Sequence, residues 1–159
     1  MKSTILILAL ALGLGACRKS TVVPQVPAPD FAVDFDKDFA LHYRQQAFLP
    51  STSSRELTIQ LEDLTTTYCP EGLQCIVGPS AWPLLAITDG QGQTQQLRLP
   101  DAPPRYPGGA WLDTTSIRAN GCRYLLTYTV WEVDKQPDKG KMPAKEDWAL
   151  WFNVTKVTQ

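Results

Sequence analysis

The chain has 159 residues, 43% of them hydrophobic and 19% charged, with a net charge of −1. That is enough for one domain with a sizeable core, and near-neutral balance without a basic cluster gives no electrostatic basis for binding nucleic acid. The single histidine, His42, removes the multi-histidine zinc centres from consideration.

The first element is a targeting signal. Lys2 gives a positive start, residues 5–16 form an uncharged apolar run, and Leu14-Gly15-Ala16-Cys17 closes it with small residues before a cysteine. Twelve apolar residues are too few for a spanning helix, which needs roughly 20. Those last four residues resemble the lipobox of bacterial lipoproteins. The resemblance implies cleavage before Cys17 and a diacylglycerol on its thiol, so that residues 1–16 are lost and the domain is held at a membrane by lipid. Arg18 stands where some Gram-negative lipoproteins carry the aspartate that retains them in the inner membrane. An outer-membrane destination is therefore expected. Cleavage removes one charged residue, Lys2, so the mature chain of 143 residues carries a net charge of −2.

Residues 17–34 read as a tether, because Pro24, Pro27 and Pro29 favour extended chain and block helix. A β-domain is expected over 35–159, with Phe31, Phe35 and Phe39 as aromatics able to dock on it. Phe39, Leu41 and Tyr43 alternate with Ala40, His42 and Arg44, which predicts a strand over 39–44. A turn follows at 50–54. Leu57, Ile59 and Leu61 alternate with Thr58, Gln60 and Glu62, the pattern of a half-buried strand.

A cysteine loop comes next and ends near Gly78-Pro79. Cys69 and Cys75 bracket Pro70-Glu71-Gly72-Leu73-Gln74, where proline and glycine let the chain double back. Export places these thiols in an oxidising space, and the short segment favours a Cys69–Cys75 bridge. Cys69–Cys122 and Cys75–Cys122 are the alternatives. Three thiols cannot all pair, and Cys122, on a strand, is expected to stay free as a small hydrophobe.

Residues 84–88 and 95–99 predict two strands around Asp89-Gly90-Gln91-Gly92, a hairpin turn. Residues 100–110 form a proline-rich irregular loop, and 111–117 an edge strand. Asn120-Gly121 signals a turn. The longest β run, 122–133, places Tyr124, Leu126, Tyr128 and Val130 on one face and Leu125, Thr127, Thr129 and Trp131 on the other. A charged loop spans 134–147, and Trp148, Leu150, Phe152 and Val154 alternate in a final strand. About seven short strands without a helical stripe predict an all-β fold, an antiparallel, Ig-like β-sandwich, with an open barrel as the alternative.

Leu57-Thr58-Ile59-Gln60-Leu61, followed by Cys69-Pro70 and by Cys75 ahead of Gly78 and Ala81, carries a second resemblance. It is similar to small bacterial secreted proteins and lipoproteins whose core runs Leu-x-Ile-x-Phe, then Asp-Ser-Arg-Cys-Pro, then Cys-x-Trp-x-Gly-x-Ala. Thr66-Thr67-Tyr68 replaces the charged triplet, and Val77 stands where tryptophan is usual. The resemblance covers about two thirds of the mature chain. It implies a disulfide-clipped β-domain, supports the Cys69–Cys75 pairing, and implies no reaction.

For chemistry, a nucleophile activated by imidazole would have to use His42, with Cys122 its only thiol partner. No Gly-x-Ser-x-Gly elbow is present. Gly90-Gln91-Gly92 and Gly108-Gly109 lack the helix and lysine of a phosphate loop. No cofactor and no metal is expected. Among the tryptophans, Trp131 and Trp148 are expected in the core. Trp151 lies opposite Trp148, and Trp111 with Tyr106 is a candidate aromatic platform for sugar or peptide. The reading favoured is a lipid-anchored, non-catalytic envelope module whose partners are an envelope protein or a glycan. Its loops 64–81, 100–112 and 134–147 would reach them. The alternative is a hydrolase of envelope polysaccharide using two carboxylates roughly 5–9.5 Å apart, with Glu62, Asp63 and Glu71 as candidates.

Overall fold

The computed structural model of the protein describes residues 28–99 and 113–157. Nine strands run in chain order: β1 (Phe31–Ala32), β2 (Asp38–Leu41), β3 (Gln46–Leu49), β4 (Leu57–Thr67), β5 (Ser80–Asp89), β6 (Thr94–Arg98), β7 (Asp113–Ala119), β8 (Cys122–Val133) and β9 (Trp148–Val157). They form two sheets, ordered β1-β3-β4-β5-β6 and β2-β9-β8-β7. All pairings are antiparallel except β1 with β3, which is parallel. The fold is an all-β sandwich. It shares its layering with immunoglobulin-like domains, while most of its neighbouring strands are joined in sequence order by hairpins.

Period-two alternation decides which side chains meet between the sheets. Leu57, Ile59 and Leu61 of β4 and Leu85 and Ile87 of β5 supply one inner face. Tyr124, Leu126 and Tyr128 of β8, with Trp148, Leu150, Phe152 and Val154 of β9, supply the other. Fully burying side chains of this size is worth ~1.5–3 kcal/mol each. Tyr128 also carries a polar link across the layers, since its hydroxyl donates to the Ala81 carbonyl at 2.8 Å. Burial holds that phenol well above its ordinary pKa, so it stays a donor.

Several features depart from the expected strand pattern. The strand predicted over 39–44 ends at Leu41. Arg44 adopts a positive φ of 66°, and the chain crosses between sheets to start β3, whose Ala47 and Leu49 are fully buried. In β8 a bulge between Tyr128 and Val130 reverses the parity. Val130 therefore turns outward, 39% exposed, while Trp131 and Val133 pack onto the core. The chain also pairs earlier than residue 35: Phe31–Ala32 lies beside β3, Phe31 meets Phe39 edge-on at 6.2 Å, and Phe35 stacks on Tyr124 at 5.6 Å.

The strand directions give the sandwich two distinct ends. One gathers the turns after β5 and β7 and the segment before β4; we call it the hairpin end. The other gathers the crossing from β2 to β3, the loop between β4 and β5, and the loop between β8 and β9; we call it the disulfide end. Because β1 runs parallel to β3, the described chain enters heading from the disulfide end toward the hairpin end, beside Gln45 and level with Leu61 of β4.

Candidate functional site

At the disulfide end, β4 and β5 outrun their neighbours, and Cys69 and Cys75 are bridged across the loop between them, with Cα atoms 5.8 Å apart. Gly72 takes a positive φ of 84° that favours glycine, and the Leu73 amide donates to the Pro70 carbonyl at 3.1 Å. Thr67 Oγ1 donates to the Gly78 carbonyl at 2.8 Å and closes the base. The bridge settles the three-way choice among the thiols. Cys122 is free, half-buried and packed beside the core.

Closing a loop this short stabilises by about 2 kcal/mol through loss of unfolded-chain entropy. Replacing Cys69 and Cys75 together by serine will lower stability by about that amount in urea unfolding. The wild type in reductant will match the double variant. An unchanged midpoint in both would remove the bridge from the account.

The loop over 134–147 folds beside the cysteine loop. The Asp134 amide donates to the Asp147 carbonyl at 2.8 Å and holds its ends together. Tyr68 joins the two loops: its hydroxyl donates to Gln136 Oε1 at 3.0 Å, and its ring meets the buried Trp148 edge-on at 6.3 Å. Trp131 lies 5.2 Å from Trp148. Lys145 reaches across to Asp63 on β4.

His42 fastens this loop to the crossing between sheets. Gln45 is buried, and its Nε2 donates to the Pro29 carbonyl at 2.6 Å, which fixes the orientation of the amide. Its Oε1 therefore accepts from the His42 amide at 3.0 Å and from His42 Nδ1 at 3.1 Å. His42 Nε2 lies 2.7 Å from Asp134 Oδ2. The histidine is thus a structural clasp between two surface segments. The same glutamine ties down the incoming chain, helped by the Gln46 amide donating to Asp30 Oδ1 at 2.8 Å.

Among its charged and polar groups this end also presents large apolar side chains to solvent. Of the five large hydrophobic side chains that stand exposed among the described residues, four are here: Leu73, Ile76, Val77 and Met142. Ile76 is 104% exposed, so it touches almost nothing.

The carboxylate candidates are placed as follows. A bulge between Leu61 and Asp63 turns Glu62 and Asp63 to the same outer face, beside a shallow depression of about 510 Å³ shared with Tyr43 and Arg44. Asp63 is held below the usual carboxylate range, first by Lys145 and then by the Leu64 amide, against the opposing effect of burial. Glu62 accepts from Gln96 Nε2 at 2.8 Å. Glu71 is exposed in the cysteine loop, away from that pair. Cys17, Tyr106 and Trp111 lie outside the described residues, as do the signal segment and loop 100–112. No group of three metal-ligating side chains converges among the described residues.

A second polar cluster sits at the hairpin end. Glu56 accepts from Lys156 Nζ at 2.6 Å and from the Tyr124 hydroxyl at 2.8 Å. The lysine holds the Glu56 carboxyl below its ordinary range, outweighing the desolvation that opposes it, and Tyr124 adds to the effect. A carboxyl lowered on folding contributes stability above its unfolded pKa, and that contribution is lost as pH falls through the folded value. Glu56 is about one third exposed, so solvent screening limits the effect to about 0.5–1 kcal/mol. Glu56→Gln will therefore lower stability at pH 7 and flatten the acid limb below about pH 4.5. Urea unfolding at pH 7 and pH 3 reads both, and an unchanged acid limb would contradict the pairing.

Comparison with protein-family models, with curated proteins and with solved structures finds no match to this chain.

Proposed function

We propose that this protein is a lipid-anchored module of the bacterial cell envelope, of the outer membrane by preference. In this reading its β-sandwich serves as a non-catalytic structural or binding unit. The observation that carries the proposal is Leu14-Gly15-Ala16-Cys17 behind a short apolar run with a basic start. Cys17 takes the lipid, residues 17–34 lead away from it, and the domain is held within a tether's length of the bilayer. The described residues contain no helix long and apolar enough to cross a membrane, and a lipid on Cys17 would need none.

The arrangement of charged groups supports a non-catalytic reading. Glu56, Asp63 and Asp138 are each held down by a lysine, which suits anions in ion pairs. A glycosidase needs one carboxyl raised to act as an acid. His42 has both ring nitrogens engaged in clasping surface segments. Partners of this module are an envelope protein or a glycan. The resemblance of the Cys69-Pro70 and Cys75 segment to small secreted β-domains accords with this and adds no reaction.

Labelled palmitate tests the anchor: wild type will incorporate it and Cys17→Ser will not. Absence of label from wild type would end the reading. Crosslinking in whole cells and a glycan array test the binding part, and background signal in both would leave only a structural role.

A further inference from the structure

The exposed apolar side chains are not scattered. Leu73, Ile76 and Val77 lie on or beside a loop closed by the Cys69–Cys75 bridge, and Met142 lies on the loop that Tyr68 fastens next to it. A Cβ built on Gly72 would stand 3.7 Å from Lys139 Cε, which shows how closely the two loops approach. Large aliphatic groups held out in water by a crosslinked loop mark an interaction surface. Pre-ordering of the loop reduces the entropy lost when that surface is covered.

The direction in which the chain enters indicates what covers it. β1 runs from the disulfide end toward the hairpin end, and Pro29 and Asp30 are fixed beside the crossing between sheets by Gln45 and Gln46. The chain before Phe31 therefore comes from the direction of the end that carries the apolar tips, and meets the domain level with Leu61 of β4. Eleven residue steps separate Cys17 from Ala28, a span of at most about 40 Å even when fully drawn out. An anchor at Cys17 therefore leaves the apolar tips within reach of the lipid, on the side from which the chain arrives.

We propose that the disulfide end docks on the bilayer to which Cys17 is attached, with Ile76, Leu73, Val77 and Met142 entering the boundary between headgroups and acyl chains. The inference rests on the anchor reading above. Leucine, isoleucine, valine and methionine suit that boundary, where apolar faces settle ~5–10 Å deep. Charge contributes little. Loop 134–147 has four lysines and four acids, and the cysteine loop adds only Glu71. Lys141 is paired with Asp138 and Lys145 with Asp63. Docking of this kind is insensitive to salt and to the anionic lipid fraction, unlike a polybasic contact. It also fixes orientation, turning the hairpin end toward the space beyond the membrane.

The test uses the mature lipoprotein in vesicles of phosphatidylethanolamine and phosphatidylglycerol with brominated acyl chains. Ile76→Trp places a fluorophore on a side chain that touches almost nothing, and Val130→Trp places one on an outer sheet face as the reference. Palmitate content is measured on the same preparations. The expected result is that I76W loses about half its added emission, as a ring ~5–10 Å deep would, while V130W is unchanged and high salt alters neither. Adding Leu73→Ser and Val77→Ser to I76W will reverse the loss. If palmitate is present and I76W matches V130W, docking is overturned and the anchor stands. If palmitate is absent, the anchor reading fails and the docking with it. Crosslinking of this loop to an envelope protein, with I76W unquenched, overturns docking in favour of a protein partner.

Discussion

Phe152→Ala will destabilise the domain by about 3–5 kcal/mol, the range for a phenyl ring removed from a packed core. A domain of this size is stable by only ~5–15 kcal/mol, so the loss removes a large part of the whole. Phe152 is fully buried at the middle of β9, between β2 and β8. Its ring stacks on Tyr128 at 5.3 Å and lies 6.0 Å from Phe39, residues that are its cross-strand partners on either side. Neighbours held by strand pairing on both flanks cannot collapse into the space, so the cavity persists. Val130→Ala is the control. Beyond the β8 bulge that side chain faces outward, and its removal will change stability by no more than about 0.5 kcal/mol. Urea midpoints separate the two variants directly. Equal losses would mean that β8 keeps one parity throughout, and the register described here would fall.

Those two residues also show what the sequence could reveal. Trp148, Leu150, Phe152 and Val154 alternate without interruption, and a regular strand buries every second residue, so the inner face of β9 was legible. Val130 belongs to the same alternation as Tyr124, Leu126 and Tyr128, yet one unpaired residue after Tyr128 moves it outside. A bulge has no composition signal as firm as the Asn-Gly pair of a tight turn. The second bulge, which turns both Glu62 and Asp63 outward, was hidden for the same reason.

The sheet crossing escaped alternation as well. His42, Tyr43 and Arg44 continue a β pattern, and Arg44 takes its positive φ without glycine or asparagine to announce it. What holds the crossing is buried Gln45 bonded to Pro29, sixteen residues away, and His42 bonded to Asp134, ninety-two residues away. Pairings at such separations follow from the completed topology. The disulfide, by contrast, is a local event within seven residues and could be read from Pro70 and Gly72. The apolar tip lies between these cases. Leu73, Ile76 and Val77 are plainly apolar in sequence, but their exposure becomes visible only once the loop is seen to project beyond the sandwich.

Asn120→Ala will lower stability by about 2–4 kcal/mol, a large effect for a residue in a surface turn. Two separable causes add. Asn120 has φ of 52°, and a residue with an ordinary Cβ in the left-handed region is strained by ~1–2 kcal/mol, a strain asparagine tolerates better than alanine. Its side chain also joins three segments. Oδ1 accepts from the Gly90 amide at 3.0 Å, and Nδ2 donates to the Glu56 carbonyl at 2.7 Å, each bond worth ~0.5–1.5 kcal/mol net. Asn120→Gly removes the strain but not the lost bonds, so its loss will be about 1–2 kcal/mol smaller than that of Asn120→Ala. The Glu56 carbonyl is the backbone of the residue whose carboxylate meets Lys156 and Tyr124. Releasing it loosens that ion pair, so Asn120→Ala with Glu56→Gln will lose less than the sum of the single variants. Strict additivity would show that the two networks are independent. A loss confined to Asn120→Ala, with Asn120→Gly at wild-type stability, would assign the whole effect to backbone strain.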